Sequence, residues 1–113
     1  MKTKIIYLAT IIAFLSMGSV FSQTKTEKFK VYGSCGMCEN RIEKAANSVN
    51  GVSSAEWDKS SKIITVKFDA SKTSLDSIHN AIAAVGHDTE KAKAKDDVYN
   101  ELPKCCHYRE ASK

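Results

Sequence analysis

This sequence of 113 residues lacks the features that mark a nucleic-acid-binding protein or an enzyme. Its formal net charge is only +4, and its lysines are interleaved with acidic residues, which is typical of an ordinary solvated surface. So weak a charge gives no reason to expect nucleic acid as a partner. The sequence also shows no carboxylate pair, general base or paired nucleophile and base. We therefore expect a binding protein rather than an enzyme.

The one long run without charge lies at the N-terminus. Ile5–Phe21 is apolar throughout most of its length and follows the basic segment Met1–Lys4. Small residues come next, so the layout is that of a secretory signal peptide. We expect cleavage after Ser22, with Val20 and Ser22 at the recognition positions, and a periplasmic or secreted protein. The alternative is an uncleaved membrane anchor, for which 17 residues is the short limit.

The chain that remains is small and close to neutral. Removal of residues 1–22 takes away two lysines and no acidic residue, which lowers the formal net charge to +2. The remainder divides into a domain, residues 23–94, and a C-terminal tail, residues 95–113. A domain of this size buries a small core and often needs a cross-link. Export permits disulfides, but four cysteines allow three pairings, and the sequence does not choose among them.

Hydrophobic periodicity predicts the element order β-α-β-β-α-β for the domain. The predicted elements are a strand at Lys28–Tyr32, a helix at Met37–Asn47, strands at Val52–Trp57 and Lys62–Asp69, a helix capped by Thr73 or Ser74 and ended by Gly86, and an edge strand at His87–Ala94. Asp76, three residues after Thr73, suggests a capping box. The fold class is α+β, a ferredoxin-like sandwich with two helices on one face of a four-stranded antiparallel sheet. The predicted core is Phe29, Val31, Ile42, Val49, Ile64, Val66, Ile78 and Ile82.

Two cysteines lie where the first strand becomes the first helix. The spacing of Cys35 and Cys38 brings both sulfur atoms to one side of the turn, and amides at a helix N-terminus lower thiol pKa values. Gly33 and Gly36 permit a tight loop near a bound ion. Two converging thiolates suit soft ions such as Cu(I), and also Zn(II) or Hg(II). The pair therefore predicts a metal site.

The stretch Phe29–Ala94 resembles the heavy-metal-associated domain family, which includes copper chaperones, soluble domains of P-type metal ATPases and periplasmic mercuric-ion-binding proteins. The resemblance rests on the Cys-x-x-Cys loop, on "NGVSSAEWDKSSKIITVKFD" after the first helix and on "AVGHD" after the second. It implies that Cys35 and Cys38 are the two metal-binding cysteines. The family usually reads Gly-Met-x-Cys-x-x-Cys, whereas this chain has no methionine ahead of Cys35. It has Met37 inside the pair instead, which we expect to pack rather than to bind a metal.

Two other interpretations of the Cys-x-x-Cys pair remain open. One is a structural disulfide between Cys35 and Cys38, although so small a ring would constrain little of the chain. The other is a catalytic pair in a thiol–disulfide oxidoreductase, since thioredoxin-like enzymes also carry Cys-x-x-Cys at a strand-to-helix turn. That fold needs a longer chain and a cis-proline facing the pair. The only proline here is Pro103, in the tail.

Histidine adds two candidates with different expected roles. His87 follows Gly86, in a loop that lies beside the Cys-x-x-Cys end of this fold, and the resemblance implies that a histidine there can be an additional ligand. His79 lies in the second predicted helix beside its apolar stripe. We expect it to be a surface or boundary residue.

The tail carries a second group of soft ligands, Cys105, Cys106 and His107. A short helix is predicted before it, begun by Asp96 or Asp97 and stopped by Pro103. Adjacent cysteines do not easily pair with each other, so both thiols are available for a metal or for bridging to Cys35 and Cys38. We expect Val98, Tyr99 and Leu102 to pack on the open face of the sheet and to bring a tail cysteine towards the site. The alternatives are a separate tail site and incidental cysteines.

Together these features predict an exported, monomeric soft-metal-binding protein, a Cu(I) chaperone or scavenger that passes its ion to a partner by ligand exchange. The expected partner is a metal-transporting membrane protein or another metallochaperone. A membrane contact is expected only through an uncleaved signal segment. The first alternative is Hg(II) binding in a resistance system, then Zn(II) binding, and from another class a thiol–disulfide oxidoreductase.

Overall fold

The computed structural model describes residues 23–111, with side chains through residue 109. The predicted signal segment, residues 1–22, lies outside this range. The elements are β1 (Thr24–Lys30), α1 (Gly36–Asn47), β2 (Val52–Trp57), β3 (Ile63–Asp69), α2 (Leu75–Ala84), α3 (Asp96–Asn100), a 3-10 turn (Lys104–Cys106) and α4 (Tyr108–Ala111). Within residues 23–111, no helix has the length and apolar character that crossing a membrane requires.

The sheet is antiparallel and has three strands in the order β1-β3-β2, so the expectation of four strands is wrong. The central strand, β3, pairs Ile64 with Phe29 on one side and with Trp57 on the other. The predicted edge strand at His87–Ala94 is reduced to one bridge, between Val31 and Thr89. The α+β arrangement itself is confirmed.

A turn after the second helix explains the missing strand. Asp88 and Glu90 begin to pair with the end of β1, since the Tyr32 amide donates to the Asp88 carbonyl at 2.9 Å. Thr89 then closes a turn: its amide donates to the Ala92 carbonyl at 2.7 Å, and its hydroxyl accepts from the Ala92 amide at 2.9 Å. The chain consequently leaves the sheet edge before a ladder can form.

The hydrophobic core lies between the sheet and the two long helices. Seven of the eight predicted core residues are buried, and Val49 is only partly buried against the others. The end of α1 and the end of α2 are followed by Gly51 and Gly86, both with positive φ, at 106° and 108°. These are the left-handed positions that glycine tolerates best. The second helix is capped by Ser74, whose hydroxyl accepts from the Ser77 amide at 3.3 Å, so the predicted capping box with Asp76 is wrong.

The tail packs at the end of the domain that carries Cys35, and the expected position on the open face of the sheet is wrong. Open-face residues such as Lys28 and Lys67 remain exposed. Leu102 instead lies directly over Gly86, where an added β-carbon would be 3.0 Å from Leu102 Cδ2. The physical reason is the set of polar partners in the loop after α2, which the tail's aromatic and arginine side chains reach. The predicted start of the tail helix at Asp96 is confirmed.

Candidate metal centre

The Cys-x-x-Cys loop is fixed by the first turn of α1. Cys35 is the N-cap residue, and its carbonyl accepts from the amides of Cys38 and Glu39 at 3.0 and 3.1 Å. Cys38 is fully buried, Cys35 is half-buried, and their sulfur atoms are 3.4 Å apart. The loop therefore presents one sulfur atom to the surface and anchors the other in the core.

Trp57 supports this loop from below, a role that the sequence alone did not indicate. An added β-carbon at Gly33 would lie 3.0 Å from Trp57 Cη2 and 3.1 Å from Cys38 Cβ, so a larger residue would press against the indole and the loop. The indole nitrogen of Trp57 donates to the Val31 carbonyl at 3.1 Å, and the ring is 3% exposed. The absent methionine ahead of Cys35 was the available signal, because some other bulky residue had to fill the space beneath the loop.

The tail brings both of its cysteines to the same loop. Cys38 and Cys106 are joined as a disulfide, with their Cα atoms 6.0 Å apart, within the usual range for such a bond. Cys35 Sγ lies 3.2 Å from Cys105 Sγ and 3.3 Å from Cys106 Sγ. The four sulfur atoms thus form one group, which we call the sulfur cluster (Cys35, Cys38, Cys105 and Cys106). The bridge was one of the open possibilities, and no Cys35–Cys38 disulfide is present among the described residues.

Contacts that the sequence analysis missed hold the tail in this position. Arg109 donates to both carboxylate oxygens of Asp88, at 3.0 and 2.8 Å, and to the Ala94 carbonyl at 2.8 Å. The hydroxyl of Tyr108 donates to the Gly86 carbonyl at 2.6 Å and accepts from the Asp88 amide at 2.8 Å. Burial raises the pKa of Tyr108 to about 12, so this hydroxyl keeps its proton. No local sequence signal links residues so far apart.

A further tail contact lies at the sulfur cluster itself. The hydroxyl of Ser34 donates to the Cys105 carbonyl, which joins the residue before Cys35 to the 3-10 turn. Cys105 is exposed, whereas Cys106 is fully buried. The cluster therefore has one accessible side, formed by Cys105 and Cys35.

The charge state of the cluster is set by opposing effects. Burial raises the pKa of the Cys35 thiol, but hydrogen bonding with Cys105 and with the amides of Cys38 and Met37, together with the charge of Arg41, lowers it below its ordinary value. The same hydrogen bond raises the pKa of Cys105, and burial adds to that effect. Arg41 Nη1 lies 3.5 Å from Cys106 Sγ. Of the two free thiols, Cys35 is accordingly the more readily deprotonated.

Neither His87 nor His107, the two histidines predicted as possible ligands, joins the sulfur cluster. Among the described residues, the group whose ligand atoms lie within 4.8 Å of one another consists of Cys35, Cys105 and Cys106. His107 Nε2 is 2.9 Å from the Leu102 carbonyl, and its ring packs against Tyr99. His87 is fully buried, with Nδ1 2.8 Å from the Tyr32 carbonyl. Metal binding by these histidines stays a prediction.

The protonation of His87 follows from its surroundings. Burial lowers its pKa, so the ring is neutral near pH 7, and a carbonyl partner assigns the proton to Nδ1. Nε2 is then an unprotonated, buried acceptor without a hydrogen-bond partner in the part of the chain that the structure describes.

Two side chains differ from expectation. His79 is 1% exposed rather than at the boundary, because its Nδ1 lies 2.6 Å from Thr89 Oγ1 and its ring centroid lies 3.8 Å from that of Phe29. Met37 is 53% exposed rather than packed, because α1 begins at Gly36 and directs it outward. Its sulfur lies 3.8 Å from Cys105 Sγ, at the rim of the sulfur cluster.

The fold and the cysteine-bearing loop define a small α+β domain of the metal-binding type. Residues 29–88 match the sequence model described as "Heavy-metal-associated domain". Because this match covers more than half of the chain, the protein belongs to the heavy-metal-associated domain family. The resemblance stated from the sequence is therefore confirmed.

Curated relatives include a small chaperone and a large transporter. The copper chaperone CopZ of Staphylococcus aureus (strain MRSA252) is 36% identical over 55 residues, which are 49% of this chain and 81% of the relative. A copper-exporting P-type ATPase of Staphylococcus saprophyticus is 33% identical over 70 residues, 61% of this chain but only 9% of the ATPase. The similarity to the ATPase thus concerns one small part of that protein.

Solved structures show the same relationship. A CopZ metallochaperone has a TM-score of 0.56 and 33% identity, over 57% of this chain and 98% of the other. Oxidised MerP from Ralstonia metallidurans CH34 has a TM-score of 0.57 and 31% identity, over 59% of this chain and 94% of the other. The family match ends at residue 88, before the tail that carries Cys105 and Cys106.

Proposed function

We propose that this protein is an exported metallochaperone or scavenger that binds Cu(I) through Cys35 and Cys38. The observation that carries the proposal is the position of these two sulfur atoms, 3.4 Å apart on the first loop of a heavy-metal-associated domain. Two thiolates suit a soft monovalent ion that accepts low coordination numbers. The printed names of the relatives, a copper chaperone and a copper-exporting ATPase, support copper as the cargo.

Binding requires reduced cysteines, because a sulfur atom in a disulfide is not a thiolate ligand. Reduction of the Cys38–Cys106 bond by a dithiol moves two electrons and two protons to these sulfur atoms and oxidises the dithiol to its own disulfide. The ion then displaces protons from Cys35 and Cys38 as it binds. Cys35, whose pKa is lowered, is suited to be the first ligand.

Transfer then proceeds by ligand exchange between thiolates, without catalysis of a chemical conversion. The partner we propose is a metal-transporting membrane protein or another metallochaperone, which the similarity to part of an ATPase supports. The apolar N-terminal segment supports export to the periplasm or beyond, with cleavage after Ser22.

Hg(II) is the second candidate cargo. The family that the chain resembles in sequence includes periplasmic mercuric-ion-binding proteins as well as copper chaperones, and oxidised MerP is among the similar structures. Mercury also prefers thiolate ligands, so the cysteine pair alone does not separate the two ions.

The test is a competitive titration of the anaerobically reduced full chain with Cu(I) in the presence of a coloured Cu(I) chelator. We expect the wild-type chain to withdraw Cu(I) from the chelator and Cys35→Ser/Cys38→Ser to lose this ability. The matched control is Ser53→Ala, an exposed change on β2. Parallel Hg(II) titrations and an insulin-reduction assay separate the alternatives. Reductase activity without tight metal binding, or unchanged binding by the double variant, would overturn the proposal.

A further inference from the structure

We propose that Cys105 and Cys106 bind the same ion as Cys35 and Cys38, so that the reduced protein holds its metal in a four-sulfur site closed by the tail. This inference rests on the proposed function, because it assumes that the Cys-x-x-Cys loop binds a soft metal. The tail lies beyond residues 29–88, so its cysteines are an addition of this chain to the domain that its relatives share.

The distances within the sulfur cluster fit a single ion. Cys35 Sγ lies between 3.2 and 3.4 Å from each of the other three sulfur atoms, and Cys105 Sγ is 3.9 Å from Cys106 Sγ. A tetrahedral ion with metal–sulfur bonds of about 2.3 Å requires sulfur atoms about 3.8 Å apart. Cys35 therefore needs to move by only a few tenths of an ångström relative to the other sulfur atoms, whereas Cys38 and Cys106 must separate from bonding distance to about 3.8 Å once their disulfide is reduced.

Contacts away from the sulfur atoms help to hold the tail against the domain. Arg109 bridges Asp88 and Asp96, with its guanidinium 4.3 Å from the Tyr99 ring centroid. Tyr99 accepts from the Arg109 amide at 3.0 Å. Because these contacts involve none of the four sulfur atoms, reduction of the disulfide leaves them in place and little ordering of the tail is needed when the ion binds. The third and fourth ligands are therefore preorganised.

One positive side chain offsets part of the negative charge that four sulfur ligands bring. Four thiolates carry a charge of −4, and an ion of charge +1 or +2 leaves an excess that must be balanced. Arg41 supplies a positive charge 3.5 Å from Cys106 Sγ, on the buried side of the cluster. On the accessible side, Cys105 is exposed beside Met37 and can exchange with solvent and with an acceptor.

This arrangement has a consequence for transfer. A two-thiolate site leaves coordination positions open for an acceptor, whereas a four-sulfur site leaves none. An incoming thiolate must therefore displace a tail cysteine, and Cys105 is the one in reach of solvent. The tail cysteines occupy the positions that an acceptor's thiolates would take.

Anaerobic titration of the reduced full chain with Co(II) tests the ligand set. Co(II) bound by four thiolates in a tetrahedral site absorbs strongly in the visible region, and replacement of one sulfur by oxygen shifts and weakens these bands. We expect tetrathiolate bands for the wild-type chain and their loss in Cys105→Ser, which folds normally because residue 105 is exposed. Lys104→Ser, an exposed neighbour without sulfur, is the matched control and keeps the bands.

Cu(I) competition with the same variants separates this inference from the proposed function. If both are right, Cys105→Ser still binds Cu(I), with affinity lowered by at least about tenfold. If Cys105→Ser matches the wild-type chain in both the Co(II) spectrum and the Cu(I) affinity, the four-sulfur site is wrong while the two-cysteine function stands. Loss of Cu(I) binding confined to Cys105→Ser, with Cys35→Ser/Cys38→Ser unaffected, would overturn both.

Discussion

The two cysteine pairs of this protein reach one point by different means. Cys35 and Cys38 belong to the domain, since Cys38 is fully buried in the core beside Trp57. Cys105 and Cys106 are delivered by a tail that is secured through the Cys38–Cys106 disulfide, an ion pair and tyrosine hydroxyls. The difference teaches that the position of the first pair depends on hydrophobic packing. The position of the second pair depends on a disulfide and on polar contacts, which we expect can be removed without unfolding the domain.

The largest effect is expected from removing the side chain of Trp57, which supports the loop that carries Cys35 and Cys38. Trp57→Ala deletes a buried indole and leaves a cavity beneath the Cys-x-x-Cys loop, so we expect the free energy of unfolding to fall by about 3–5 kcal/mol. Urea denaturation measures this. Trp57→Phe is the control, because it keeps most of the packing and loses only the hydrogen bond to Val31. A loss below 1 kcal/mol for the alanine variant would contradict the role assigned to the indole.

In the chain with the Cys38–Cys106 disulfide reduced, removal of the tail's ion pair should affect the second pair alone. Both partners of the Arg109–Asp88 contact are about four-fifths buried, so we expect Arg109→Ala to weaken tail docking by about 2 kcal/mol. Amide hydrogen exchange should speed up in residues 96–109, while α1 and the strands keep their protection. Arg109→Lys tests whether the bidentate geometry matters beyond the charge. An equal loss of protection throughout the domain would show that tail and domain unfold as one unit.

Acid should release the tail before it unfolds the domain. Burial raises the pKa of Asp88, but hydrogen bonds from Arg109 and the Ala94 amide lower it below the usual 3.8. A carboxylate whose pKa is depressed on folding stabilises the folded form above its unfolded pKa, and that stability is lost as the pH falls through the folded value. We expect tail docking, followed by amide exchange or NMR shifts, to weaken below about pH 4. Asp88→Asn should remove this pH dependence; if it persists, another group is responsible.

The smallest expected effect comes from a single hydroxyl. Tyr108→Phe removes the donor to Gly86 and the acceptor for the Asp88 amide, and we expect a loss of about 1 kcal/mol in tail docking. The ring, which stacks on that of His87, remains in place. Hydrogen exchange of the tail measures the change, with Tyr32→Phe as the control on an exposed ring. No change in tail protection would mean that ring packing alone secures residue 108.

Local patterns predicted most of the domain correctly. The bounds of β2 match, α1 differs by one residue at its start, and Asp96 begins the tail helix. The prediction of a fourth strand is wrong because Thr89 forms a turn with Ala92, and this turn competes with pairing at the sheet edge. The predicted exposure of His79 is wrong because the segment after α2, which carries its hydrogen-bond partner Thr89, covers the His79 ring. The first error concerns a local side-chain turn and the second a contact between two segments, and hydrophobic periodicity describes neither.

The sequence by itself determined the fold class, the family and the position of Cys35 and Cys38 at a strand-to-helix loop. These depend on the spacing of apolar residues, glycines and cysteines within short segments. Only the tertiary structure decided that Cys105 and Cys106 reach the same loop. Cys35 and Cys106 are 71 positions apart, and their contact depends on the docking of Tyr108 and Arg109 onto the loop after α2. That docking is a sum of individually modest polar and packing contacts, which become visible only when the folded chain places their partners side by side.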